Sequence, residues 1–188
     1  MNTDELKTIL EQHKLWLEDD GGARADLLCA DLQYANLQYA DLRCADLRGA
    51  DLQRADLRDA NLRCADLQYA NLRCADLQYA NLQYADLQGA DLRGADLQGA
   101  DLQRADLQGA DLRDANLRCA DLDYSCLPLW CGSKGMIVDK RIASQIAAHF
   151  CVLECDDAGY LAARTAILEF ARSSHRAEDL GLLEEVQE

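Results

Sequence analysis

Ala25-Asp26-Leu27-Leu28-Cys29, Ala30-Asp31-Leu32-Gln33-Tyr34 and Ala35-Asn36-Leu37-Gln38-Tyr39 open a run in which one five-residue phrase returns twenty times, closing on Ala120-Asp121-Leu122-Asp123-Tyr124. Ala stands first in every phrase, Asp or Asn second and Leu third. A strict short period means that one small unit is stacked on itself, so it is read before any other signal. Five residues of α-helix overshoot a full turn by about 140°, which would wind the leucines around the helix instead of lining them up. A flat strand fails as well, because five is odd and each repeat would flip its Leu to the other face. A bend in every repeat restores the phase. Ala and Leu then point inward from a short extended piece, Asp or Asn points outward between them, and the last two residues turn a corner. A chain that bends the same way every five residues must coil.

This phrase resembles the consensus A(D/N)LXX of the pentapeptide-repeat proteins, over 100 of the 188 residues and without a break. The resemblance implies an all-β solenoid: a right-handed quadrilateral β-helix with four pentapeptides per coil, Leu at the inward centre of each side and Ala inward beside it. Twenty repeats then make five coils, and at an inter-strand spacing of ~4.8 Å the coiled body is about 24 Å long. Leu27, Leu47, Leu67, Leu87 and Leu107 form one of four core columns. Each buried Leu contributes about 1.5–3 kcal/mol, set against the ordering of five backbone residues. Neighbouring coils therefore share a thin margin.

Composition agrees with a regular core. Aromatic residues are 6% of the chain, and the 49% hydrophobic fraction comes largely from Ala and Leu. A net charge of −15 favours solubility and disfavours direct nucleic-acid binding, because phosphates need Lys and Arg partners. The sequence has no run of about 18 apolar residues, which argues against a membrane span, and Met1-Asn2-Thr3-Asp4-Glu5 lacks the basic start of a secretory signal. Of nine Cys, five occupy the variable fifth position: Cys29, Cys44, Cys64, Cys74 and Cys119. There they alternate with Tyr, Gly, Arg and Asp, as a tolerated outward residue does. An odd count without a signal peptide points to reduced thiols and a cytoplasmic protein.

The flanks are expected to cover the raw backbone edges of the solenoid. Residues 1–24 read as an N-terminal helix and linker. The helix is placed over 3–18 with Thr3 as N-cap, Asp4 and Glu5 in the first turn, and Leu6, Ile9, Leu10 and Leu17 on one side. Asp19-Asp20-Gly21-Gly22 ends it. The β-helix takes residues 25–127, with Ser125-Cys126-Leu127 still mimicking the phrase until Pro128 stops it. Residues 128–188 read as a C-terminal helical cap or dimerisation segment. After a turn at Cys131-Gly132-Ser133-Lys134-Gly135, Ile142, Ile146, Phe150 and Leu153 recur at helical spacing. So do Leu161, Ile167, Leu168 and Ala171, behind Asp156 or Asp157 as a cap. The segment would cover the last coil or pair with its copy in a homodimer.

Catalysis has little footing. The three His, His13, His149 and His175, lie outside the repeat, and no GxxxxGK[ST], GxSxG or HExxH motif occurs. His149, Cys151 and Cys155, with Cys126 or Cys131, match no close CxxC spacing, so small core residues are the better reading than a zinc site. No catalytic, cofactor or metal residue is assigned.

With four repeats per coil, the candidate interaction face is the column Asp26, Asp46, Asp66, Asp86 and Asp106. It carries five Asp against one Arg, Arg48, and so −4 of the −8 that the whole repeat carries. Asp and Asn also bond their own backbone in turns, and Asn replaces Asp at 36, 61, 71, 81 and 116, so the turn does not need the charge. One branch of the resembled family binds bacterial type II topoisomerases, with an acidic rod like duplex DNA in width and charge. Acting as a DNA mimic on such a partner, DNA gyrase for example, is therefore the alternative function. B-DNA of the same length carries about 14 charges, and ten Arg dilute the field here. Stacking of Arg104 between Tyr84 and Tyr124, and of Arg54 beside Tyr34, is expected to be surface decoration. Cys44 and Cys64 fall one coil apart, near the range of a disulfide. The sequence reads first as a non-enzymatic scaffold or protein-interaction module whose protein partner it does not name.

Overall fold

The structure, a computed structural model, describes residues 1–126, 136–151 and 158–172. The chain divides into two compact units, Met1–Ile137 and Val138–Glu188.

In the first unit each second-position residue from Asp26 to Asp106 pairs, in parallel, with the residue twenty positions on: Asp26 with Asp46, Asp31 with Asp51, Asn36 with Asp56, Asp41 with Asn61, and so upward. Twenty residues are four pentapeptides, so the twenty repeats make five coils. The ladder is carried by the residues around each pair. In the middle of the stack the Leu67 N–H donates to the Asp86 carbonyl at 2.7 Å, the Tyr69 N–H to the Gln88 carbonyl at 2.9 Å, and the Asp86 N–H to the Ala65 carbonyl at 3.0 Å. The extended pieces foreseen from the sequence shrink to one bridge residue per side, and among the described residues none lengthens into a strand. A corner every five residues leaves no room for more.

The corner is a β-turn closed by the next Ala: the Ala70 N–H donates to the Leu67 carbonyl at 3.0 Å across Gln68 and Tyr69. All twenty fifth-position residues have positive φ, from +53° at Cys29 to +72° at Gly109, whereas no fourth-position residue does. That is type II character, which favours Gly at the second central place. Only Gly49, Gly89, Gly94, Gly99 and Gly109 meet the preference; the other fifteen corners hold Cys, Tyr, Arg or Asp in a region that costs an L-residue about 1–2 kcal/mol. The fifth position is outward and variable, but it is not undemanding. The inter-coil ladder holds it in place.

Inside the coil Leu27, Leu47, Leu67, Leu87 and Leu107 are at most 1% exposed, as is Ala in every coil from Ala45 on. Beyond the fifth coil the pairing goes on: Cys126 joins Asp106, and Ile137 joins Asn116, whose neighbour Leu117 donates to the Ile137 carbonyl at 2.7 Å. Leu127, Pro128 and the Cys131–Gly135 turn foreseen from the sequence lie outside the described residues.

Helix α1, Thr3–Leu17, lies on the edge of the first coil. Its N-cap is Asn2, not Thr3. Asn2 Oδ1 accepts from the Glu5 N–H at 2.8 Å and Glu5 Oε2 accepts from the Asn2 N–H at 3.1 Å, so two orphan donors are satisfied reciprocally. Leu6, Ile9, Leu10 and Leu17 are half-buried, and the one fully buried residue of the helix is His13. Its Nδ1 accepts from the Ala25 N–H at 3.0 Å, a donor that no earlier coil would satisfy. At the other end the Met1 ammonium donates to the Asp31 carbonyl at 3.0 Å. Gly22 lets the chain return against the helix: a Cβ there would lie 2.2 Å from the Gln12 carbonyl oxygen. Ala25 is covered, while Ala30, Ala35 and Ala40 stay half exposed.

In the second unit α2, Lys140–Cys151, packs against α3, Ala158–Arg172. Asp139 caps α2 by accepting the Ile142 N–H at 3.0 Å. Ile142 and Ala171 are buried, and Ile146, Ile167 and Leu168 half-buried. Leu153, Asp156, Asp157 and the chain after Arg172 lie outside the described residues.

Candidate interaction surface

Every second-position side chain is tied into its own turn. In all twenty repeats its Oδ1 accepts the N–H of the residue two places on, at 2.9–3.4 Å. Asn serves as well as Asp, since only a carbonyl oxygen is needed.

The second carboxylate oxygen follows a rule set by the fourth position. Seven glutamines reach one coil onward to an Asp: Gln33 to Asp51, Gln38 to Asp56, Gln68 to Asp86, Gln78 to Asp96, Gln83 to Asp101, Gln88 to Asp106 and Gln103 to Asp121. Gln53, whose onward neighbour is Asn71, turns back to its own Asp51 at 3.2 Å. Arginines instead clamp the Asp of their own repeat, as Arg43 does Asp41, Arg48 Asp46, Arg58 Asp56, Arg93 Asp91 and Arg113 Asp111. Arg63, Arg73 and Arg118 share their repeats with Asn and have no such carboxylate there.

On the face singled out by its charge, Asp26, Asp46, Asp66, Asp86 and Asp106 stand in one bridge-paired column. Asp46 is only 9% exposed, clamped by Arg48 at 2.6 Å and approached by Arg24 at 3.8 Å. The Arg48 hydrogen bond holds its carboxyl below the usual carboxylate range, against the effect of burial. Asp66 lies 3.6 Å from Arg48 Nε, and Asp106 takes Gln88 at 2.7 Å. Three of the five, Asp66, Asp86 and Asp106, are thus engaged from the preceding coil, and Asp46 by Arg48 of its own repeat.

What faces outward is the fifth position. Tyr34, Tyr39, Tyr69, Tyr79 and Tyr124 are more than half exposed. Arg104 lies between Tyr84 and Tyr124, 5.6 and 5.4 Å from the ring centres, and Arg54 lies 5.7 Å from Tyr34, whose hydroxyl accepts from it at 3.1 Å. Arg63 adds a member that the fifth-position pattern alone does not reveal, 5.6 Å from the Tyr84 ring. A fourth-position Arg beside Asn is the signal for it.

A family model described as pentapeptide repeats matches residues 25–63, 40–74, 60–99, 70–109 and 95–128, in eight copies. The chain belongs to the pentapeptide-repeat family. The family's fold is a right-handed β-helix, the coil described above. Among solved pentapeptide-repeat structures, Rfr23 from the cyanobacterium Cyanothece 51142 is 43% identical over 50% of this chain and 63% of its own, with a TM-score of 0.41. HetL, involved in heterocyst differentiation regulation in Nostoc sp. strain PCC 7120, is 38% identical over 61% of this chain and 58% of its own, with a TM-score of 0.26. QnrB1, a plasmid-mediated fluoroquinolone resistance protein, is 21% identical over 70% of this chain and 75% of its own, with a TM-score of 0.34. This pentapeptide-repeat chain therefore spans less than two thirds of the length of the first two. None of the curated proteins matches it.

Among the described residues no three His, Cys, Asp or Glu side chains group closely enough to hold a metal ion, and no helix is long and apolar enough to cross a membrane. His149 and Cys151 lie in α2, whereas Cys131, Cys155 and His175 are outside the described residues.

Proposed function

We infer that this pentapeptide-repeat protein is a non-enzymatic scaffold or protein-binding module of the cytoplasm, and that its partner is a protein docked on the fifth-position columns. The supporting observation is the division of labour between positions. Second-position carboxylates are engaged within the coil, whereas Tyr and Arg stand outward at the corners. Those two residue types are enriched where proteins bind one another. The Arg63, Tyr84, Arg104 and Tyr124 ladder is the densest such column. A photo-crosslinking amino acid placed at Tyr84, and separately at Gln108, tests this in cells. Adducts at Tyr84 that disappear with Arg104→Ala are the expected result; adducts confined to Gln108, on the acidic face, would overturn it. Homodimerisation through α2 and α3 is part of the same reading, and sedimentation equilibrium measures it directly.

The second reading is an acidic DNA mimic on a type II topoisomerase, favoured by the unbroken column Asp26, Asp46, Asp66, Asp86 and Asp106. A DNA gyrase supercoiling assay separates the two, run with the parent and with Asp46→Asn, Asp66→Asn, Asp86→Asn combined. Asn keeps the turn, as Asn36 does by accepting from the Gln38 N–H at 3.1 Å. The scaffold reading expects no inhibition by either protein at tens of micromolar. Inhibition by the parent that weakens in the variant would move the function to the acidic face.

A further inference from the structure

Fifth-position cysteines meet different neighbours in the next coil. Cys29 is followed by Gly49 and Cys74 by Gly94; a Cβ on either glycine would lie 3.2 or 3.4 Å from the cysteine sulfur. Cys44 and Cys64 alone among the repeat cysteines follow one another. Asp41 and Asn61 pair in parallel, the Cys44 N–H donates to the Arg63 carbonyl at 3.0 Å and the Cys64 N–H to the Gln83 carbonyl at 2.9 Å. Both residues have φ of +58°. Their Cα–Cβ bonds therefore point the same way, one coil apart. A coil spacing of about 4.8 Å lies within the 4.4–6.8 Å between Cα atoms that a disulfide spans.

The two thiols are free. They open into a cleft of about 310 Å³ that Trp16 of α1, Arg43 and Arg63 also line. Cys64 is exposed and Cys44 half-buried, so one sulfur can be reached by a small reagent while the other waits behind it. Burial pushes the Cys44 thiol pKa up and the neighbouring Cys64 adds to this, while the guanidinium groups of Arg24 and Arg43 oppose both.

We propose that Cys44 and Cys64 form a reversible dithiol–disulfide site that reacts with low-molecular-weight disulfides and staples the first coil to the second. The Cys64 thiolate attacks one sulfur of the small disulfide, making a mixed disulfide and releasing one small thiolate. The Cys44 thiolate then attacks the Cys64 sulfur, forms the Cys44–Cys64 bond and expels the second small thiolate. Two cysteine thiols lose two protons and two electrons, and the small disulfide gains them as two thiols. Parallel Cβ vectors keep the Cβ atoms near the coil spacing of about 4.8 Å, slightly beyond the 3.5–4.5 Å of a relaxed bridge. The bond is therefore of the strained, exposed kind that reopens easily.

The full chain is incubated with oxidised glutathione, its remaining thiols are alkylated, and it is cut with trypsin. The expected dominant link joins peptides 44–48 and 64–73, with loss of two hydrogens from the intact mass and release by millimolar dithiothreitol. The oxidised protein should melt about 4–10 °C higher than the reduced one. Cys44→Ser should trap glutathione on Cys64, and Cys74→Ser should change nothing. A stable glutathionyl adduct on Cys64 of the parent, a dominant link to any other cysteine, or a 44–64 link that resists dithiothreitol would each overturn the proposal.

Discussion

The walls of the coil and its corners obey opposite rules. A wall residue is all but fixed in identity, and its bonds repeat from coil to coil: Leu67 donates to Asp86 at 2.7 Å as Leu72 does to Asp91 at 2.8 Å. A corner residue is free in identity and fixed in conformation, since Cys, Tyr, Arg, Asp and Gly all take positive φ. The walls hold the fold together, and the corners carry both its backbone strain and its individuality. Variation along a sequence is therefore no proof of slack.

The sharpest way to break this contrast is in the wall. Leu67→Ala or Leu72→Ala, mid-stack and fully buried, should each cost about 2–5 kcal/mol in denaturant unfolding. An unmoved unfolding curve would refute the load assigned to the Leu columns.

Next in size is the seam between α1 and the first coil. Burial is the main cause that pushes the His13 pKa below 6.5; the Arg43 backbone and Asp41 oppose it, while the charges of Arg43 and Arg24 add to it. The neutral imidazole accepts the Ala25 N–H, so docking of α1 is at full strength above pH 6.5. It is lost as pH falls below that value toward the lowered folded-state pKa, by at most about 1.4 kcal/mol per pH unit. The protection factor of the Ala25 amide, its exchange rate divided into that of the free peptide at the same pH, should fall as the buffer is acidified, and a flat protection profile would remove His13 from the seam.

Corner substitutions come third. Gly94→Ala meets the Cys74 sulfur at an ordinary 3.4 Å, so it isolates backbone strain and should cost about 1 kcal/mol. Gly89→Ala also meets the Tyr69 ring at 2.7 Å and should cost more. Equal losses in thermal unfolding would mean that the ring swings away freely. The smallest effect is expected from Asp106→Asn, which keeps the turn but removes the charge that Gln88 reaches. About 0.5 kcal/mol is expected, and a loss above that of Gly94→Ala would reverse the ranking of side-chain bridges below backbone strain.

The walls were legible because period and chemistry coincide there: Ala and Leu face inward, and Asp or Asn answers a turn N–H. The corners were legible as outward but not as strained, because fifteen non-glycine residues hide the preference of the five glycines. Yet every glycine within the repeat falls on the fifth position, and that was the available signal. His13 was also within reach, lying three residues past Leu10 and four past Ile9 on the apolar stripe of α1. Ile137 was not. It joins Asn116 twenty-one residues on and belongs to no recognisable phrase, so only tertiary pairing reveals it. The acidic column was legible as a tally of charges, but how its members are engaged depends on which fourth-position side chain lies one coil away.

That twenty-residue register makes surface and length interchangeable. Removing one pentapeptide from the middle of the coil would leave the Leu columns intact, because every side presents the same Ala, Asp or Asn, and Leu. Everything beyond the cut would rotate by one side. The acidic column would be cut into two half-columns on adjacent faces, Arg104 would leave Tyr84 if the cut fell between those two, and Cys64 would leave Cys44 if it fell between them. Removing four pentapeptides would shorten the stack and preserve every alignment outside the deletion. Gene slippage by single repeats thus shuffles the surface of this protein like the rings of a combination lock, at almost no cost to its folding.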